Sequence, residues 1–152
     1  MPLRSLLLAG LAALPSYVHS QDIYLNLEDA WVRALPPAQP TTAAYLTLRN
    51  AGDRTATVTG ATVDGASRVE IHHSREVDGL MRMEPLSKLE VAPGESLVLA
   101  PGGTHLMLFE LDAMPRPGET RRLCLTLEEA DPVCTEAQVR KGADKAHQHH
   151  HH

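Results

Sequence analysis

The feature that most limits how this chain can fold is the rhythm of its turn residues. From Ala43 onward, short alternating segments recur about every ten residues, each closed by Gly, Pro, Asn or Asp. "AAYLTLRN" runs into "NAGD", and then come "ATVTGATV", "SRVEIHH", "GLMRMEPL", "KLEVAPGESLVLAPGG", "THLMLFEL", "RRLCLTLEE" and "VCTEAQVR". No stretch sustains a helical apolar repeat over several turns, so helices should be absent or reduced to a single turn. Many short strands with period-two alternation define an all-β sandwich or barrel. The proline-rich "LPPAQPTT" reads as an ordered extended loop.

At 152 residues and 43% hydrophobic, the chain suits one domain. Residues 1–20 read as a signal peptide. Arg4 gives the positive start, "LLLAGLAAL" the apolar stretch, and "VHS" before Gln21 the cleavage site. That apolar run is too short to span a bilayer, and no later run is longer, so an exported protein without membrane insertion is expected. The domain should occupy residues 21–140, with a patternless tail over 141–152 ending in "KAHQHHHH". The tail reads either as an expression tag or as a native, disordered metal-collecting segment suited to Cu(II).

Setting the leader aside leaves 13 Lys and Arg against 19 Asp and Glu, a net charge of −6 with His neutral. This argues against nucleic acid, whose binding rests on basic residues neutralising phosphates, and against an anionic membrane surface. Trp31, Tyr24, Tyr45 and Phe109 are too few for a base-stacking platform. Cys124 and Cys134 stand symmetrically about "LEEADP", a hairpin turn, and in an oxidising compartment they suggest one structural disulfide.

Beyond the leader and ahead of the tail, the histidines are His72, His73 and His105, and the methionines are Met81, Met83, Met107 and Met114. All but Met114 fall in "EIHHSREVDGLMRM" and "PGGTHLMLFEL". In a strand, His105 and Met107 project from one face and Leu106 and Leu108 from the other, so the leucines can face the core. Met81 and Met83 likewise share a face opposite Arg82. A lone strand methionine is ordinarily core filling. A same-face His-x-Met pair, with further His and Met one hairpin away, suits copper, the thioether favouring Cu(I). Zinc would prefer thiolate, carboxylate or more imidazoles, and calcium or magnesium would want oxygen.

The spacing resembles that of the periplasmic copper chaperones called PCuAC, whose signature is His, ten residues, Met, twenty-one residues, then His-x-Met. His72, Met83, His105 and Met107 reproduce it without a gap. "AWVRALPP", "AAYLTLRNAGD", "VEIHHS", "DGLMRMEPL" and "LAPGGTHLML" extend the likeness over most of the body. His73 stands where the family sometimes has Met, and is expected to be a neighbour rather than a ligand. The resemblance implies a cupredoxin-like Greek-key β-sandwich or barrel, a Cu(I) site formed by those four residues, and a periplasmic location. It further implies delivery of copper to cytochrome c oxidase, with a Sco-type copper protein and oxidase subunit II as partners; a monomer is expected. Periplasmic copper buffering or resistance is the alternative role. A blue-copper electron carrier would need a Cys ligand beside the His and Met, and neither cysteine lies in the His-x-Met strand. An enzyme is not expected: "GxSxG" and "HExxH" are absent, and no histidine is left over as a general base. His105, just after the "PGG" turn, should sit near a strand end at the rim.

Overall fold

Alternation is what builds the interior. The computed structural model describes residues 23–142, so the leader assigned to residues 1–20 and the tail beyond Gly142 lie outside the described residues. Within them run ten strands and no helix. The strands are β1 (Leu25–Arg33), β2 (Thr42–Asn50), β3 (Ala56–Val63), β4 (Ala66–Val77), β5 (Leu80–Leu86), β6 (Leu89–Val91), β7 (Ser96–Leu99), β8 (Thr104–Leu111), β9 (Thr120–Leu127) and β10 (Val133–Arg140). The inward residues of β8, Leu106 and Leu108, are buried completely, as are Leu46 and Leu48 of β2 and Leu123 and Leu125 of β9. Each such leucine contributes about 1.5–3 kcal/mol of burial.

Hydrogen bonding links the strands in the order β5-β4-β8-β2-β1-β10-β9-β3-β6, with β7 also on β2. Strands β3 and β4 stand far apart in that order, yet only Asp64 and Gly65 separate them in the chain. A two-residue link can join them only if the sheet curls over, so one continuous sheet wraps the main core. Cys124 and Cys134 face each other across β9 and β10 and form the disulfide. Asp78 and Gly79 close the β4–β5 hairpin with positive φ of 53° and 76°, the two-residue turn whose twist matches its strands.

Three local features position the functional face. Strand β1 carries a register shift between Glu28 and Trp31, with Asp29 at φ 51°; the bulge interrupts strict alternation. Asn50 is fully buried at the end of β2. Its amide nitrogen donates to the Arg54 and Val91 carbonyls at 2.6 and 2.8 Å, and its oxygen accepts from the Gly52 N–H at 2.9 Å. Finally, β7 and β8 are both antiparallel to β2, pairing with its second and first halves. The "PGG" segment therefore does not reverse the chain. Residues 100–103 form a short detour within one strand line, pinned by Ala100 N–H to Thr104 O at 2.9 Å and Gly103 N–H to Ala100 O at 3.1 Å.

Candidate metal centre

Pairing of β4 with β8 places His72 directly opposite His105 and Glu70 opposite Met107. Pairing of β4 with β5 places Met83 opposite Ser74. Because side chains alternate across a strand, His72, Ser74, Met83, His105 and Met107 all project from the outer face. The four sequence-predicted residues thus share one face, brought there from three adjacent strands. His105, Met107 and Met83 line a cleft of about 220 Å³ together with Tyr45, Arg33 and Ser74. The ring centres of His72 and His105 are 6.1 Å apart. Metal–imidazole bonds of about 2.0–2.1 Å let two rings share one ion with centres up to about 6.4 Å apart.

The four differ sharply in exposure. His105 is 5% exposed, whereas Met83 is 60% exposed; His72 and Met107 are partly buried. His105 is therefore near its strand end, as its sequence position indicated, but it is covered rather than open at the rim. The cover is an aromatic wall that the sequence reading did not anticipate. Trp31 and Tyr45 face each other across β1 and β2 with ring centres 4.4 Å apart. With Ala43 they form a second small core on the outer face, against which Met107 packs. Arg33 lies over both rings and Arg140 over Trp31. Tyr45 is 6.3 Å from the His105 ring. Burial pushes the Tyr45 phenol above its ordinary pKa, against the opposing pull of Arg33. The early half of β2 is consequently buried on both faces. "AWV" and "AAY" carried this signal as aromatic residues at matching register, invisible until β1 is recognised as a strand.

Hydrogen bonds fix the imidazole tautomers. The Gly103 carbonyl, set by the detour, lies 2.9 Å from His105 Nδ1. A carbonyl only accepts, so Nδ1 carries the hydrogen and Nε2 keeps a lone pair. His72 Nε2 lies 2.8 Å from Glu70 Oε2, and His72 Nδ1 is buried without a hydrogen-bond partner. The His72 hydrogen bond, followed by the charge of Arg68, holds the Glu70 carboxyl below its ordinary pKa despite partial desolvation. His73 points to the opposite face, where its Nδ1 bonds Thr104 Oγ1 at 2.9 Å. Alternation therefore removes it from the cluster. Met81 shares the face of Met83 and is equally exposed, one step further toward the hairpin tip.

Chemically, the face offers two imidazole lone pairs and two thioethers, a soft, charge-neutral donor set suited to a monovalent soft ion. Among the described residues, no group of three or more His, Cys, Asp or Glu is arranged to hold a metal. A harder divalent ion would want such a group.

Solved structures superpose on this chain, among them domains named PCuAC. The apo PCuAC domain from PmoF1 matches with a TM-score of 0.64 and 22% identity, covering 78% of this chain and 98% of its own. The copper(I) form of DR1885 from Deinococcus radiodurans matches with a TM-score of 0.60 and 27% identity, covering 83% of this chain and 85% of its own. In sequence, residues 25–139 match the family described as "Putative lipoprotein LpqE-like". A protein named "Putative lipoprotein Lxx21020", from Leifsonia xyli subsp. xyli, is 33% identical over 126 residues, 80% of this chain and 74% of that protein. The chain belongs to the LpqE-like family, and its fold is the cupredoxin-like fold of PCuAC domains.

Proposed function

We propose that this protein is an exported Cu(I)-binding metallochaperone with His72, Met83, His105 and Met107 as its ligands. The observation that carries the reading is that this donor set comes from three strands to one face, where Met83, His105 and Met107 line a cleft and His72 stands opposite His105. The copper(I) form of DR1885 and the copper-bound PCuAC domain from PmoF2, both similar in fold, support it. His72, His105 and Met107 sit on the covered side, and Met83 on the exposed edge strand, where a partner's ligand can displace it. That gradient suits holding and handing over an ion more than cycling its charge, and no enzymatic activity is assigned. The acceptor in this reading is the copper centre of cytochrome c oxidase, reached through a Sco-type protein and oxidase subunit II, with the chaperone acting as a monomer in the periplasm. Relatives bear the name lipoprotein; in this chain Cys124 and Cys134 are joined to each other, so neither carries a lipid.

Anaerobic Cu(I) titration against a competing chelator tests the ligand assignment. One tight site is expected, weakened in Met83→Ala and His105→Ala by more than the roughly 10–100-fold typical of losing an outer-shell partner. Variants that bind as tightly as the parent would refute it. The delivery role predicts that deleting the gene lowers oxidase activity at low copper. Normal oxidase with heightened copper sensitivity would instead favour buffering, a reading to which the tail residues His147 and His149–His152 would add Cu(II) capacity.

A further inference from the structure

We propose that Glu70 is the positioning residue of this centre, committing His72 to bind copper through Nδ1 while His105 binds through Nε2. The inference rests on the copper-binding reading and assigns a role to a residue outside the four ligands. Glu70 and His72 are two apart on β4 and so share its outer face. An ionised carboxylate only accepts hydrogen bonds, so the 2.8 Å contact requires the hydrogen to be on His72 Nε2. In the neutral ring the opposite nitrogen, Nδ1, is then bare, and it is buried and unpartnered. A buried polar atom left so is costly, which is the condition a metal would relieve.

Glu70 is itself held. Its second oxygen pairs with the Arg68 guanidinium, one further step along the same face. Arg68 also lies 4.1 Å over the Phe109 ring, and Phe109 stands 6.0 Å from the His72 ring on the side away from Ser74 in register. Arg68, Glu70 and His72 thus form a row along one strand, backed by Phe109 from the next. Both Glu70 oxygens are engaged, one by His72 and one by Arg68, so the carboxylate orients the ligand rather than serving as one. A carboxylate behind a ligating imidazole fixes its tautomer and raises its basicity. His105 is oriented differently, by a backbone carbonyl, which no side-chain substitution removes. The two imidazoles are therefore unequal: one is set by the detour of the main chain, the other by a replaceable side chain.

Long-range ¹H–¹⁵N correlation on the copper-free, full chain at about pH 8, above the ordinary histidine range, reads the tautomer directly. The parent should show His72 as the Nε2–H form. Glu70→Ala should give a mixture, and Glu70→Gln, whose amide oxygen still accepts, should restore the parent pattern. In Cu(I) competition titrations, Glu70→Ala should weaken binding about 10–100-fold with unchanged stoichiometry, and Glu70→Gln should lie close to the parent. A Nδ1–H form of His72 in the parent, or parent-like affinity in Glu70→Ala, would overturn the proposal. A parent that binds no Cu(I) would instead overturn the copper reading, and the tautomer measurement would still decide the positioning role.

Discussion

Two hairpins of this sheet carry sulfur, and they use it in opposite ways. The β9–β10 hairpin lies inside the sheet, between β3 and β1, and ties Cys124 to Cys134. The β4–β5 hairpin ends the sheet and leaves Met81 and Met83 exposed on edge strand β5. Exported proteins meet oxidising conditions in which free thiols are drawn into disulfides. A thioether forms no disulfide and remains a ligand for a soft ion. Cross-linked sulfur sits inside the sheet, and free sulfur sits on its edge, where the proposed copper ion would come and go.

If that division holds, the two regions can be disturbed separately. The largest effect on the frame should come from the double substitution Cys124→Ser with Cys134→Ser. It should lower the unfolding free energy by about 2–3 kcal/mol in urea denaturation and leave one Cu(I) per chain. Loss of copper binding in a variant that is still folded would break the comparison, because it would tie the site to the cross-link. Next comes Gly79→Ala, which forces an alanine into the left-handed conformation of the tight turn. A cost of about 1–2 kcal/mol is expected, again read by urea; an unchanged midpoint would show that the turn does not define the hairpin. The smallest effect should come from Met81→Ala. Although Met81 shares the face of Met83, its Cu(I) binding energy should stay within about 0.5 kcal/mol of the parent. A tenfold loss of affinity would make Met81 a ligand and redraw the site.

The same contrast explains what the sequence made legible. Strands with clean alternation were readable to the residue: "THLMLFEL" and "VCTEAQVR" coincide with β8 and β10. "ATVTGATV" coincides with β3 despite a register shift between Val58 and Gly60, because β-branched residues and flanking turn signals mark it as well. Facing cysteines across a short turn implied their pairing, and the shared face of His105 and Met107 followed from their spacing. Strand β1 escaped because the bulge at Asp29 breaks its alternation and, unlike β3, it offers few β-branched residues to mark it otherwise. With β1 unseen, the Trp31–Tyr45 wall over the outer face was unseen too, and His105 looked more open than it is. The "PGG" segment reads as a turn, but local turn residues do not say whether the chain resumes its direction afterwards, as it does here. Glu70 lay in plain sight two residues before His72. The period-two rule that grouped His105 with Met107 applies to it equally, but its meaning depends on which imidazole nitrogen faces it, and only side-chain geometry supplies that.

X-ray absorption spectroscopy of the chain loaded anaerobically with slightly less than one equivalent of Cu(I) reads the donor atoms themselves. A copper shell containing two sulfur scatterers and two imidazoles is expected, with one sulfur lost in Met83→Ala. A shell of nitrogen and oxygen alone, or one whose sulfur content is indifferent to Met83 and Met107, would contradict it.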